Sequence, residues 1–157
     1  IWGPGDAYSQ RLPKAVRRLS FAWIDGGNVD CVTCHVNNLA EAVQASLVSG
    51  EGGQAYFIND PAPVAMRDFL LAIGRANGLR LDRFPSVPYQ VAKFFGAVVE
   101  RAWAALRFSG EPPLTTTMVR LIGKPFVTND SLARRQLGYK SSYDLGKGLR
   151  EYVIDSK

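Results

Sequence analysis

The chain has 157 residues, 46% of them apolar and 21% charged, which is the composition of one globular domain and excludes a disordered chain. Its 15 Gly and 9 Pro occur without a period, so collagen-like and repeat architectures are excluded as well. The excess of 19 Lys and Arg over 14 Asp and Glu gives a net charge of +5, which favours anionic ligands but does not name one. No apolar stretch approaches the ~20 residues that a transmembrane helix needs.

Hydrophobic periodicity, caps and turn residues predict an alternation of helices and short strands, as in α/β folds. Helices are expected at residues 7–19, 39–48, 64–76, 89–107, 115–122, 130–137 and from 144, and strands at 21–24, 31–36, 55–58 and 125–128. The sequence Asp25-Gly26-Gly27-Asn28 is typical of a tight turn and predicts that the first two strands form a hairpin. Asn37 or Asn38 is expected to cap the helix at 39–48.

The longest predicted helix, residues 89–107, is amphipathic. At 100° per residue its large apolar side chains share one side, which holds Val91, Phe95, Val98, Ala102 and Leu106. The neighbouring Phe94 and Phe95 offer a large contact area to a hydrophobic ligand, so this helix is predicted to cover an apolar pocket. The alternative is that both Phe side chains only fill the core.

The start of the chain and its basic cluster bear on two further questions, a signal peptide and nucleic-acid binding. The chain begins at Ile1 and no basic, apolar and small-residue progression follows, so we expect no signal peptide and a piece cut from something longer. The cluster that includes Arg11, Lys14, Arg17 and Arg18 is interpreted as the solvated side of a helix. Because no nucleic-acid-binding motif accompanies it, no nucleic acid is predicted as a partner.

Cys31-Val32-Thr33-Cys34-His35 has the spacing of a c-type haem attachment site. The same residues alternate as a strand does, however, and no export signal precedes them. A zinc site would need carboxylates to complete its ligands, and a disulfide is geometrically poor because strand neighbours point to opposite faces. The sequence therefore predicts two reduced thiols without metal or haem, and a cytoplasmic location.

Four segments occur in a familiar order: Ile1-Trp2-Gly3-Pro4-Gly5-Asp6, His35-Val36-Asn37-Asn38-Leu39-Ala40-Glu41-Ala42, Gly53-Gln54-Ala55-Tyr56-Phe57-Ile58-Asn59-Asp60 and Ala133-Arg134-Arg135-Gln136-Leu137-Gly138-Tyr139. In this order they resemble the C-terminal half of the extended short-chain dehydrogenases/reductases, the group of NAD(P)-dependent epimerases/dehydratases and 3β-hydroxysteroid dehydrogenase-like enzymes. The resemblance implies an α/β, Rossmann-type fold whose N-terminal dinucleotide-binding half is absent. Residues 1–157 would then form a single substrate-binding domain.

The resemblance implies NAD or NADP as the cofactor of the full-length enzyme, held by that N-terminal half. The isolated chain is expected to bind no cofactor and to be inactive, because Gly50–Gly53 leads out of a helix and so is not the strand–turn–helix cradle of a dinucleotide. The catalytic Tyr, Lys and Ser are expected upstream, and none is assigned here. Tyr89 and Lys93 have the family's spacing but follow the Gly-Pro-Gly-Asp segment, whereas the family's pair precedes it.

Six residues are carried over as contacts: Gly3 and Pro4 with the cofactor, and Trp2, His35, Phe94 and Arg120 with the substrate. The expected substrate is a small sterol-like or other apolar alcohol or ketone, because Gly26–Val36 contains no Arg or Lys to clamp a diphosphate. Two alternatives stay open, a nucleotide-sugar epimerase/dehydratase fragment and a non-catalytic module that binds a ligand or a protein. The full-length protein could form a homodimer.

Overall fold

Helices dominate the computed structural model of the protein, which describes residues 1–18 and 20–154. Among these residues the helices are α1 (Ala7–Arg17), α2 (Val36–Ser49), α3 (Met66–Ala76), α4 (Tyr89–Ala105), α5 (Thr116–Gly123), α6 (Ser131–Leu137) and α7 (Leu145–Ile154). The strands are β1 (Trp23–Ile24), β2 (Asp30–Cys31), β3 (Val64–Ala65) and β4 (Ser86–Val87). Each helix expected from the sequence is present, although the expected end of the first, Leu19, lies outside the described residues.

The two strands predicted to form a hairpin pair with other segments, so that prediction was wrong. β1 runs parallel to β4, and β2 runs antiparallel to β3. Between β1 and β2 the chain forms a 3₁₀ turn in which Gly26 and Gly27 have φ angles of 72° and 74°, a conformation that glycine adopts without strain. Asp25 Oδ1 accepts a hydrogen bond from Tyr89 N at 3.0 Å, and Ser86 Oγ accepts one from Gly26 N at 2.8 Å. These bonds hold the turn against α4 and β4.

The other predicted strands are shorter than expected or unpaired. β2 ends at Cys31, and beyond it the extended chain makes one parallel bridge, between His35 and Trp2. Residues 125–128 contribute one bridge, between Phe126 and Cys31. Residues 55–58 have no strand partner among the described residues.

α3 lies in the main core, where its Phe69 and Ile73 are fully buried. They pack in one cluster with Trp2, Trp23 and Leu81, so the N-terminal Trp2 is part of this core. Two smaller clusters join α4 to α5 and α2 to α6. The residue that precedes the Gly-Pro-Gly turn, Trp2, is therefore fixed in the core.

α4 packs on α5 through Tyr89, Ala92 and Gly96 and leaves Phe94 and Phe95 exposed. Ala92 and Gly96 are buried, and a Cβ on Gly96 would lie 3.2 Å from the backbone of Thr115. Phe94 and Phe95 are 65% and 55% exposed. Neither Phe side chain lies in the core that the described residues form. No helix among the described residues is long and apolar enough to cross a membrane.

Candidate functional site

Asp60 is a buried carboxylate that accepts four hydrogen bonds where the N-terminus, the segment after β2 and α2 meet. Its Oδ2 accepts from Trp2 Nε1 at 2.7 Å and from Thr33 Oγ1 at 2.6 Å. Its Oδ1 accepts from His35 N at 2.7 Å and from Asn38 Nδ2 at 2.6 Å. We call these five residues the Asp60 cluster. Because both oxygens are fully used, the carboxylate holds three separate segments in one arrangement.

The Asp60 cluster positions the turn that was expected to meet the cofactor. Trp2 is fixed by its side chain and by its backbone bridge to His35, and Gly3 follows it directly. Gly3 N donates to Asp6 Oδ2 at 3.2 Å, and Gly3 O accepts from Asp6 N at 3.2 Å. Both polar groups of Gly3 are thus used inside the turn. The N–H of Gly3 has no further proton to donate, whereas its C=O keeps a second lone pair.

His35 caps α2, the role that was predicted for Asn37 or Asn38. Its Nδ1 accepts a hydrogen bond from Asn37 N at 3.2 Å, so the neutral ring carries its proton on Nε2. The buried ring stacks on Tyr143, with centroids 4.8 Å apart, and forms a T-shaped pair with Trp2, with centroids 4.7 Å apart. Burial lowers the pKa of His35, because the charged form would lose its hydration. This geometry favours a neutral, structural histidine over a base.

Asn38 links the Asp60 cluster to the segment that precedes α7. Its Nδ2 also donates to Tyr143 O at 2.7 Å, and its Oδ1 accepts from Tyr143 N at 2.9 Å. Tyr143 OH donates in turn to Glu151 of α7 at 2.9 Å. Sequence reasoning missed this role, since it interpreted Asn38 as a candidate cap and gave Asp60 no function of its own. The available signal was that both lie in segments that carry the family resemblance.

An apolar cleft of about 220 Å³ borders the Asp60 cluster. Its apolar lining comes from distant parts of the chain and includes Ile1, Trp2, Val32, Phe57, Phe69 and Phe126. Phe57 and Phe126 are 61% and 50% exposed, so the cleft opens to solvent on their side. No charged side chain lines it, and its chemistry therefore suits an apolar group.

The residues expected to contact ligands fall into two groups. Trp2, Gly3 and His35 lie together, and a Cβ on Gly3 would be 3.5 Å from His35 Nε2. Phe94 and Arg120 lie on α4 and α5, and neither lines the cleft. Of the six residues expected to contact ligands, only Trp2 lines the cleft, and Gly3 and His35 lie beside Trp2.

The pair with the family's catalytic spacing does not face the cleft. Tyr89, the first residue of α4, is buried against α5, and Lys124 Nζ lies 4.3 Å from the centre of its ring. Lys93 is exposed. Gly50 is the C-cap of α2, and residues 50–53 lead into the segment 54–59, which is neither helix nor strand. These residues follow a helix, as the sequence predicted, but the strand expected at 55–58 is not formed.

Cys31 is buried and Cys34 is half-buried, and both are free thiols. Burial, with the charge of Asp60 second, raises the pKa of Cys34 to about 11. Burial also raises the pKa of Cys31, so both thiols are protonated at neutral pH. Within residues 1–18 and 20–154 no group of three His, Cys, Asp or Glu side chains could hold a metal ion.

We expect native Cys34 to react slowly with iodoacetamide at pH 8. The raised pKa leaves a thiolate fraction on the order of 100-fold below that of an ordinary cysteine. The rate should climb as the pH approaches about 11. Mass spectrometry of alkylated native and urea-unfolded protein measures this ratio, with Cys31→Ala used to isolate Cys34. Equal rates in the two states would contradict the described environment.

Comparison with known proteins was made on sequence and on fold, and no family profile matches the chain. The chain is 35% identical over 150 residues to a 4-hydroxy-2-methyl-3-oxo-4-farnesyl-3,4-dihydroquinoline-1-oxide ketoreductase of Stigmatella aurantiaca, covering 95% of the chain and 45% of that protein. It is 32% identical to a 2-alkyl-3-oxoalkanoate reductase of Stenotrophomonas maltophilia (99% and 49% covered). It is 24% identical to a decarboxylating sterol-4-alpha-carboxylate 3-dehydrogenase of Dictyostelium discoideum (96% and 46%). The chain spans about half the length of these relatives.

Solved structures show the fold. A functionally unknown conserved protein from Silicibacter pomeroyi superposes with a TM-score of 0.65 at 20% identity, over 99% of this chain and 46% of its own. The dTDP-glucose 4,6-dehydratase of Bacillus anthracis, solved in complex with NAD, superposes with a TM-score of 0.57 at 14% identity, over 98% and 41%. The chain therefore has part of the Rossmann-type α/β fold of the short-chain dehydrogenases/reductases.

The sequence relatives indicate the kind of enzyme more closely than the solved structures do. They are reductases and sterol dehydrogenases, and the chain matches about half of each. The 157 residues are similar to the C-terminal half of the extended short-chain dehydrogenases/reductases, with reductases and 3β-hydroxysteroid dehydrogenase-like enzymes among the relatives. The resemblance stated from the four sequence segments is thus confirmed.

Proposed function

We propose that this chain is the substrate-binding domain of an NAD(P)-dependent oxidoreductase that acts on a sterol-like or other apolar alcohol or ketone. The observation that carries the proposal is the uncharged, apolar cleft beside Trp2 in a chain related to oxidoreductases. The names of those relatives specify substrates with a farnesyl, alkyl or sterol portion. A cleft of this lining would take such a portion, with Trp2 as one wall.

In this proposal the N-terminal, dinucleotide-binding half of the full-length enzyme holds most of the cofactor. The described residues do not form that half. They contain no strand, glycine turn and helix in the order that cradles a pyrophosphate, since residues 50–53 follow a helix. Gly3 and Pro4 would contact the nicotinamide end, and the N–H of Gly3 would not donate to it because it is used within the turn. The nicotinamide, when bound, would exchange a hydride with the substrate carbon.

The proposed partner of the chain, that N-terminal half, would dock beside the cleft. The N–H and C=O groups of Tyr56, Phe57 and Ile58 make no backbone hydrogen bond to any described residue. A segment whose backbone groups are not used in this way can pair with a further strand. Phe57 and Phe126, exposed at the mouth of the cleft, would be covered by the same contact.

The nucleotide-sugar alternative receives less support. The fold likeness to a dTDP-glucose dehydratase favours it at the level of fold alone. A diphosphate needs cations, however, and no Lys or Arg lines the cleft. Arg120, the cation considered from the sequence, lies on α5 outside that lining.

Activity of the full-length protein tests the proposal. With NADPH or NADH we expect turnover of an apolar ketone, such as a 3-ketosteroid or a 2-alkyl-3-oxoalkanoate, measured as loss of absorbance at 340 nm. Turnover of nucleotide sugars alone would overturn the substrate class.

The isolated chain provides a second test, by calorimetry. We expect no binding of NAD or NADP, because the phosphate cradle is not among the described residues. A dissociation constant in the low micromolar range would contradict the assignment of cofactor binding to the other half.

A further inference from the structure

Tyr8, in the first turn of α1, lines the apolar cleft and carries a hydroxyl that makes no hydrogen bond to any described residue. It differs in this from the other side chains of the lining that have a polar atom. Each of those is hydrogen-bonded within the protein; they are Trp2, Thr33, Cys34, Asn59 and Thr128. The Tyr8 hydroxyl is therefore the side-chain group of the cleft that the described residues leave without a partner.

The Tyr8 hydroxyl is also within reach of another molecule. Tyr8 is half-buried, and in the described part of the chain the buried side-chain polar atoms without a partner are His35 Nε2 and Gln136 Oε1. Tyr8 Oη is not one of them, so it is not sealed inside the protein. The cleft that Tyr8 lines gives a bound molecule access to it.

The ring of Tyr8 is held by a rigid wall of the cleft. It forms a T-shaped pair with Phe69, with centroids 5.5 Å apart, and Phe69 forms another with Trp2 at 5.6 Å. Phe69 and Trp2 are fully buried and line the cleft as well. Because the phenol is held in place before a ligand arrives, little conformational freedom is lost when its hydroxyl forms a hydrogen bond.

The chemistry of the Tyr8 hydroxyl defines the ligand atom that fits it. Burial raises the pKa of Tyr8, so the group is a neutral donor at neutral pH. A hydroxyl beside apolar side chains costs free energy unless a partner satisfies it. No Lys or Arg lines the cleft to favour an anion, so the partner that fits is a neutral carbonyl or hydroxyl oxygen on an apolar molecule.

We propose that Tyr8 donates a hydrogen bond to a carbonyl or hydroxyl oxygen of the substrate and thereby selects among apolar molecules. This inference rests on the proposed function, because it takes the cleft as the substrate site. The backbone N–H groups of Phe57 and Ile58 are also unpaired at the cleft, but they are proposed to pair with the N-terminal half. Tyr8 would then be a residue of this chain that determines where the oxygen of an apolar substrate lies.

Binding by the full-length protein, measured without nicotinamide cofactor, tests the role of Tyr8. The probes are 4-phenylbutan-2-one and butylbenzene, which differ only in that a ketone replaces a methylene group. Tyr8→Phe should weaken binding of the ketone about 5- to 10-fold, the effect of one hydrogen bond, and leave binding of butylbenzene unchanged. The thermal midpoint should stay the same, because the hydroxyl bonds to no described residue. Protein titrations followed by NMR of the probe give the dissociation constants.

Tyr56→Phe is the matched control, because Tyr56 OH accepts from Glu51 N at 3.2 Å and Tyr56 does not line the cleft. This variant should bind both probes as the parent does. The inference is overturned if the parent does not bind the ketone, or if Tyr8→Phe leaves ketone binding unchanged. It is also overturned if Tyr8→Phe weakens both probes alike, or if Tyr56→Phe weakens the ketone as much.

The failure of this inference and that of the proposed function can be told apart. If Tyr8→Phe binds the ketone as the parent does while the full-length protein reduces apolar ketones, the proposed function stands and the role of Tyr8 is overturned. If Tyr8→Phe weakens only the ketone but no apolar ketone is reduced, Tyr8 binds an oxygen in a cleft whose proposed reaction is wrong.

Discussion

Asp60→Ala is expected to lower the free energy of unfolding by about 3 to 5 kcal/mol. The substitution removes the acceptor of four hydrogen bonds and leaves the indole N–H of Trp2, the backbone N–H of His35 and the amide of Asn38 without it. These donors are buried, so water cannot replace the carboxylate without opening the structure. Urea denaturation of the full-length protein, monitored by tryptophan fluorescence and by circular dichroism, measures the loss.

Two further variants separate this role from a general effect of losing a carboxylate. Asp82→Ala removes an exposed carboxylate in a turn and should change stability by less than ~0.5 kcal/mol. Asp60→Asn keeps one acceptor oxygen but places an NH₂ group against groups that are themselves donors, so an intermediate loss is expected. If Asp60→Ala lowered the free energy of unfolding by less than ~1 kcal/mol, the four hydrogen bonds to Asp60 would not be what holds the three segments together.

The helices were predictable because their signals are local. Thr115 Oγ1 accepts from Met118 N at 3.0 Å at the start of α5, and Gly138, with φ of 68°, ends α6. Both signals lie within a few residues of the helix end that they determine. Periodicity gave the length of α4 for the same reason.

The strand pairing and the candidate site depend on contacts that local patterns do not contain. β1 pairs with β4, more than 60 residues away, and Asp60 meets Trp2 across 58 residues. An Asn-Asp-Pro sequence reads locally as the end of a strand, and nothing near it indicates which donors will surround the carboxylate. Likewise, the sequence showed that α4 has an apolar side but not which side of the helix packs on α5. Ala92 and Gly96, on another side, make that contact.

The packing of α7 against Trp2 and His35 depends on Gly148. A Cβ at this position would lie 2.5 Å from the Trp2 ring and 2.7 Å from the His35 ring. Trp2 is held by Asp60, and the His35 ring is stacked on Tyr143, so neither ring can move aside without breaking a contact. α7 must therefore shift if a methyl group is added.

Gly148→Ala is accordingly expected to lower the free energy of unfolding by about 2 to 3 kcal/mol, although alanine is ordinarily better than glycine in a helix by ~1 kcal/mol. Gly146→Ala, in the same helix, is the matched control, because its Cβ would meet only Asp144 Oδ1 at 3.5 Å. That variant should be neutral or slightly stabilising. Urea denaturation gives both values, and near-UV circular dichroism reports whether the environment of Trp2 has changed. Stabilisation by both substitutions would mean that α7 does not pack against Trp2 and His35.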